Sequence, residues 1–363
     1  MKIALVRRAY SASGGAEKYL LRLAKALAGH GWTPELVTTQ AWPQETWEWG
    51  DIHRIEGNSP IEFANAFKKL RPQLQVDFTF SLERVWEADF YRAGDGVHKA
   101  WLDRLAKHSN PLSTFIRNRK AKHQQILQLE QSLYNTQSST KIIANSRLVA
   151  QEIQDIYQAR SENIQVIHNG YNSPTYTEDE ILDMRRKKRA ELNLSDNDTT
   201  IIFVGSGWKR KGLRYLTDVM PALSQQNVKL LVAGKGKQPS SPPEHTIYLG
   251  EVSELTPLYF AADIFSLPTL YDPFSNACLE AASHHLPVIT TKDNGFSEAI
   301  QKFGGGTAVH DPTNADELLH AIQAWLPAEK RQHAKTDLIQ LSEHHTIQRN
   351  LDETLDFILS TTT

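Results

Sequence analysis

The chain has 363 residues, enough for two domains at roughly 100–200 residues each. Hydrophobic residues make up 40% and charged residues 23%, an ordinary globular composition that excludes long disorder. A net charge of −2 excludes a generally basic nucleic-acid coat, and the single cysteine, Cys278, excludes an internal disulfide or a cysteine-cluster metal site.

The apolar run at residues 1–6 is too short for a signal peptide, and Arg7-Arg8 follow it on the wrong side. No apolar run approaches the ~18–20 residues that cross a bilayer. The expectation is a cytoplasmic protein, soluble or resting on the inner face of a membrane. Short apolar, β-branched runs predict strands at 3–6, 34–38, 76–80, 141–144 and 165–168, then at 200–204, 229–233, 246–249, 263–267, 287–291 and 307–309. Runs without alternation suit strands buried on both faces of a parallel sheet. Between them lie amphipathic helices, such as 16–28 with Leu20, Leu23 and Leu27 on one side. The fold class is therefore α/β, and eleven strands are easier to place in two sheets than in one. The turn-rich stretch 169–174 marks the boundary, giving domains 1–170 and 171–346. A helix at 178–194 carries the run 184–189, read as a solvated charged face. A last helix is expected over 347–359, ahead of a frayed tail.

Three glycine-bearing loops follow strands, where open α/β sheets place ligands. In the first, Gly14 and Gly15 open a helix whose N–H groups can meet an anion; a plain turn is the alternative. The second, 205–212, contains Gly205-Ser206-Gly207-Trp208-Lys209-Arg210-Lys211-Gly212. It is neither a dinucleotide fingerprint nor a P-loop. Its three adjacent cations at a loop–helix junction oppose the helix dipole unless an anion binds among them, which suits a diphosphate. The third, Gly234-Lys235-Gly236-Lys237, is weak alone but extends the same edge.

The sharpest segment is 267–281. Asp272 stands in a proline-bearing loop, Ser275-Asn276 open a helix, and Glu280 lies eight positions beyond Asp272. That helix start can meet an anion or a sugar hydroxyl, and Glu280 can grip a ribose diol with both oxygens. Ala277, Cys278, Leu279, Ala281 and Ala282 suggest that Glu280 sits on a buried face and needs a partner; two solvated acids are the alternative. Asp196-Asn197-Asp198 mimics a metal-binding D-x-D but sits in a polar turn, so no metal is expected.

Residues 99–123 hold seven basic residues against one acid, Asp103, interleaved with Trp101, Leu102, Leu105, Leu112, Phe115 and Ile116. This pattern suits contact with an anionic membrane surface through Lys99, Trp101, Arg104, Arg117, Arg119 and Lys120. A helical hairpin with a solvated basic face is the alternative, and no nucleic-acid module is recognisable.

These elements, Gly14-Gly15, Gly207…Arg210-Lys211-Gly212 and Asp272-Pro273-Phe274…Leu279-Glu280-Ala281…Leu286-Pro287-Val288, resemble the retaining glycosyltransferases with the GT-B fold (glycosyl transferases group 1, family 4). The turn His168-Asn169-Gly170 resembles that family's interdomain strand end. The stretches 205–212 and 91–98 bring the resemblance closest to the glucosyltransferases of bacterial lipopolysaccharide core synthesis. The resemblance implies two Rossmann-like domains facing across a cleft, with a C-terminal helix, 347–363, returning to the first. It implies that Lys211, with Lys209 or Arg210, neutralises a leaving diphosphate and that Glu280 holds the donor ribose. Asp272 and the backbone at Phe274, Ser275 and Asn276 would hold the transferred sugar, and Gly14 and Gly15 would let the first domain approach the donor. Asp95 and His98 would lie on the acceptor side.

Two departures stand out: Asp272 replaces the usual glutamate, and Ser206 replaces an arginine common in the family, as in members nearest the core glucosyltransferases. The implied reaction is retaining, metal-independent transfer of a hexose, glucose, from UDP-glucose to a lipid-linked inner-core heptose, with no cofactor. The alternatives are a sugar-nucleotide epimerase of the same fold or a non-catalytic sugar-nucleotide-binding protein.

Overall fold

The computed structural model describes residues 1–11, 14–111, 115, 119–172 and 175–362. They form two compact units, Met1–His168 with the chain from Asn350 onward, and Asn169–Arg349. Each unit is built on one parallel sheet with helices between its strands.

The first sheet holds β1 (Lys2–Val6), β2 (Thr33–Thr38), β3 (Ile52–Arg54), β4 (Phe78–Ser81), β5 (Phe90–Arg92), β6 (Lys141–Ala144) and β7 (Ile164–Val166), in the order β3-β2-β1-β4-β5-β6-β7. The second holds β8 (Thr199–Val204), β9 (Val228–Ala233), β10 (Thr246–Gly250), β11 (Ile264–Ser266), β12 (Val288–Thr291) and β13 (Gly306–Val309), in the order β10-β9-β8-β11-β12-β13. Every expected strand is present, and β3 and β5 are additional. The central strands are buried on both faces: Ile3, Ala4, Leu5 and Val6 of β1 and Ile201, Ile202 and Phe203 of β8 are fully excluded from solvent. The edge strands β3 and β10 are only half-buried.

Chain direction across each sheet reverses beside its first strand. β1 pairs with β2 on one side and β4 on the other, and β8 lies between β9 and β11. Connections that leave such neighbours in opposite directions open a crevice at the strands' carboxyl ends, where ligands bind in open α/β sheets. In the second unit that crevice is lined by the loop after β8 and the loop after β11, the two segments singled out by the sequence.

The helix Ile347–Thr362 places Leu355 and Ile358 in the core of the first unit with Ile3, Leu5 and Leu20. The Tyr19 and Thr354 hydroxyls lie 3.3 Å apart, within hydrogen-bond reach. The tail expected to fray stays helical to Thr362. Asp196–Asp198 is a turn, as expected: Ser195 N–H donates to Asp198 Oδ2 at 2.7 Å.

The charged helix Glu178–Glu191 departs from the solvated face expected of it. Arg186 and Lys187 are exposed, but Arg189 is 4% exposed and donates to the carbonyls of Ala261, Ser195 and Asp198. Arg185 donates to the Phe260 and Ala262 carbonyls and pairs with Asp263 at 2.8 Å. Both guanidiniums thus satisfy backbone carbonyls at the end of the helix Thr256–Ala261, where the helix dipole favours positive charge.

Candidate active site

After β8 the chain turns through Gly205 and Gly207 into the single helical turn Trp208–Lys211. Gly212 ends that turn with φ +78°, and a Cβ there would lie 1.8 Å from the Pro268 carbonyl oxygen. The loop after β11 therefore lies directly against this backbone. The Arg210 carbonyl accepts from Leu270 N–H at 2.8 Å and from the Thr269 hydroxyl at 3.0 Å, which fixes the cationic turn to the second loop.

The three cations do not share one environment. Lys209 is exposed. Lys211 Nζ forms an ion pair with Asp272 Oδ2, and Arg210 reaches the same oxygen at 3.3 Å while donating to the Tyr271 carbonyl at 2.7 Å. Asp272 is 5% exposed, so these charges face one another in a poorly screened setting. One carboxylate thus faces two cations, leaving a net positive charge for an incoming anion. Ser206 has a different neighbour: its hydroxyl accepts from the Lys235 N–H at 3.1 Å, tying the loop after β8 to the loop after β9. Trp208 closes the same junction. Its indole N–H donates to the Gly205 carbonyl at 3.1 Å, and a Cβ on Gly236 would meet its ring at 2.2 Å.

Phe274, Ser275 and Asn276 are organised by a residue absent from the sequence reading. The Asn294 side-chain oxygen accepts from Ser275 N–H at 3.2 Å and from Phe296 N–H at 3.1 Å, while its amide donates to the Thr290 hydroxyl at 2.9 Å. Ser275 caps the helix Asn276–Ser283 by accepting from Cys278 N–H, and Asn169 donates to the Phe274 carbonyl and to Asn276 Oδ1. Glu280 is half-buried rather than on the buried face expected. Its Oε2 accepts from the Tyr259 hydroxyl at 3.3 Å.

In the first unit, the helix Gly15–Gly29 opens beside its own acid. A Cβ on Gly14 would lie 1.8 Å from Glu17 Oε2, and Glu17 is held by Arg7 at 3.0 Å, which also pairs with Glu83 at 3.0 Å. An anion approaching Gly14 and Gly15 meets this carboxylate and the guanidinium together. Asp95, 73% exposed at its side chain, lies 3.7 Å from Arg84. The fully buried Glu130 accepts from Arg84 Nε at 2.9 Å, from His98 and Lys99 N–H at 2.6 and 3.2 Å, and from the Tyr157 hydroxyl at 2.8 Å. It thus caps the helix His98–Lys107 from a distant segment, and Arg84 also donates to the Gly96 carbonyl, fixing the turn that carries Asp95.

His98 Nε2 lies 2.9 Å from His123 Nδ1 with the rings stacked, and burial, reinforced by Arg84, lowers the His98 pKa to about 4. A histidine held neutral while folded takes up a proton below pH 6.5 only on unfolding, so it lowers stability as pH falls from 6.5 towards 4. Urea midpoints between pH 7 and 4.5 are expected to decline, with at most ~1.4 kcal/mol per pH unit from this group. His98→Gln should flatten the slope; an unchanged slope would exclude His98 as its source.

The basic segment is divided. Lys99 pairs with Asp103, Trp101 is half-buried, and Arg119 and Lys120 are exposed, Arg119 lying over the exposed Phe115 ring at 4.3 Å. Arg104, expected at a membrane surface, is instead committed to Glu152 at 2.7 Å and is 15% exposed at its side chain. Arg117 lies outside the described residues. Among the described residues, no helix is long and apolar enough to cross a membrane.

Two family models match the chain, Glycosyltransferase Family 4 over residues 13–173 and Glycosyl transferases group 1 over residues 198–327. Between them the two models, one on each unit, identify a glycosyltransferase. Relatives similar to it include an uncharacterised glycosyltransferase of Methanocaldococcus jannaschii, 28% identical over 52% of this chain but only about half (51%) of that protein. The lipopolysaccharide glucosyltransferase WaaG of Escherichia coli is 21% identical over 89% of each chain. A crystal structure of WaaG superposes with a TM-score of 0.81 at 18% identity, covering 98% of this chain and 99% of that one. The Anabaena protein HepE in complex with UDP-glucose gives a TM-score of 0.69 at 15% identity, covering 99% of this chain and all of that one. These likenesses identify the two parallel-sheet units as the GT-B fold of a glycosyltransferase.

Proposed function

We propose that this glycosyltransferase transfers glucose from UDP-glucose to a heptose of a lipid-linked lipopolysaccharide inner core, with anomeric retention and without a metal. The observation that carries the reading is the pairing of Lys211 and Arg210 with buried Asp272 at the carboxyl edge of β8 and β11, with Glu280 on the helix that follows. The similarity to WaaG supports the acceptor class, and the UDP-glucose held by HepE supports the donor.

Bond cleavage at the anomeric carbon builds negative charge on the leaving diphosphate. Fixed cations stabilise that charge best where it develops, because they need no reorganisation during reaction. Lys211, held in place by Asp272, supplies one such charge; Arg210 and exposed Lys209 supply the rest of the positive excess. Glu280 accepts from the ribose hydroxyls, and Asp272 with the backbone at Phe274, Ser275 and Asn276 binds the glucose. Asp95 and His98 serve the acceptor. The acceptor hydroxyl's proton passes to the leaving phosphate oxygen on the same face, which requires no covalent enzyme intermediate.

A thermal-shift series over UDP-, ADP- and GDP-sugars tests the donor. UDP-glucose is expected to stabilise the protein most strongly, and Glu280→Ala should lose that stabilisation. Equal response to all donors, or a response retained by the variant, would defeat the assignment. We assign the enzyme to the cytoplasmic face of the inner membrane, attached through Lys99, Trp101, Arg119 and Lys120 rather than through Arg104. Vesicle cosedimentation should favour anionic lipid and weaken with salt and with Arg119→Glu/Lys120→Glu. Equal, salt-insensitive binding to neutral vesicles would argue against this attachment.

A further inference from the structure

We infer that Tyr259 is a positioning residue for recognition of the donor's pentose: its buried hydroxyl orients the Glu280 carboxylate that grips the diol. This rests on the proposed ribose role of Glu280. The Tyr259 side chain enters from the helix Thr256–Ala261, is 1% exposed, and donates to Glu280 Oε2 at 3.3 Å. Burial and the nearby carboxylate raise the phenol's pKa well above its usual value, so it remains a donor at any working pH.

The tyrosine is itself held. The His284 ring lies 4.7 Å from it at 32°, and Phe260 packs edge-on against the same imidazole at 5.2 Å. His284 Nδ1 lies 2.7 Å from the Glu280 carbonyl oxygen, so the imidazole grips the helix turn that carries the carboxylate. Burial lowers the His284 pKa, so the imidazole remains neutral and adds no charge behind Glu280. Tyr171 also lies beside this group, 6.3 Å from His284, and its pKa is raised first by burial and then by the negative charge of Glu280.

The arrangement addresses a specific difficulty. A half-buried glutamate on a helix has several rotamers to lose on binding. An ionised carboxylate offers about four lone-pair sites, so it can accept from the phenol and still take hydroxyl donors. A fixed donor on one oxygen therefore selects a rotamer without using up the recognition capacity. Preorganisation of this kind improves affinity for the group recognised and leaves ligands lacking that group unaffected.

Calorimetric titration with UDP, ADP and GDP selects the diphosphate that binds most tightly, and its 2′,3′-dideoxy counterpart is then compared. Wild type should prefer the ribose form by ~10-fold or more, the scale of hydrogen bonds to a charged group. Glu280→Gln should abolish that preference. Tyr259→Phe should weaken the ribose form by ~3–10-fold, leave the dideoxy form unchanged, and add little in the double variant. If Tyr259→Phe melts early, Tyr259→Met replaces it with the same expected loss of selectivity.

Equal weakening of both ligands, or no effect on either, would overturn the inference while leaving Glu280 in its role. A preference surviving Glu280→Gln, or no binding by any diphosphate, would instead overturn the reading of the site, and the inference with it.

Discussion

Lys211→Ala is expected to lower kcat by about 10²–10³-fold, the loss seen when one fixed transition-state charge or donor is removed. The donor's KM should change less, because Arg210 and Lys209 still attract a diphosphate. The variant also unbalances the site, since Asp272 is buried and would keep only the longer Arg210 contact. A simple loss of activity could therefore be traced to a displaced carboxylate. The double variant Lys211→Met/Asp272→Asn removes the stranded carboxylate, and with it the glucose contact proposed for Asp272. Removing both members of a buried pair is far less damaging than removing one, so the double variant should regain thermal stability yet remain inactive. Initial rates of UDP release, measured beside melting temperatures, make the comparison. Recovered transfer in the double variant would mean that Lys211 serves Asp272 and not the leaving group.

The charge logic of this site was legible because it is local. Three adjacent cations at a loop–helix junction are costly without an anion, and a strand followed by a glycine-bearing loop marks a sheet's carboxyl edge. What the cations pair with was not legible: Asp272 lies 61 residues beyond Lys211 and meets it only because β8 and β11 are neighbours. Asn294, Tyr259 and Glu130 escaped notice for the same reason. Each is an ordinary residue whose importance comes from a distant backbone group or carboxylate.

Charge density misled in the other direction. Arg189 looks solvated within a run of basic residues, yet it is buried against the carbonyls that end another helix. Arg104 likewise belongs to Glu152. The strands that were missed, β3 and β5, are three residues long, and their charged or aromatic side chains lack a β-branched run. Glu280 misled through its neighbours: small apolar residues on a short helix mark the helix as buried without burying every position on it.

Gly212→Ala is expected to damage both the stability of the second unit and the donor site. At φ +78° an alanine is strained, by about 1–2 kcal/mol for the left-handed region. The larger cost is steric. The added carbon would fall 1.8 Å from the Pro268 carbonyl oxygen and 2.7 Å from its carbonyl carbon, both backbone atoms that cannot rotate away as a flexible side chain could. Relief therefore requires the turn carrying Lys211 to separate from the loop carrying Asp272. That separation breaks the bonds from Leu270 and Thr269 to the Arg210 carbonyl and draws Lys211 away from its carboxylate. A loss of several kcal/mol is the expected scale for backbone strain combined with broken buried hydrogen bonds. Gly207→Ala provides the control, because that residue has a similar φ of +73° but open space where its Cβ would go. Thermal unfolding of both variants should show a much larger decrease for Gly212→Ala, accompanied by loss of stabilisation by UDP-glucose. Equal decreases would assign the effect to backbone conformation alone and remove the contact with Pro268 as the element that holds the two loops together.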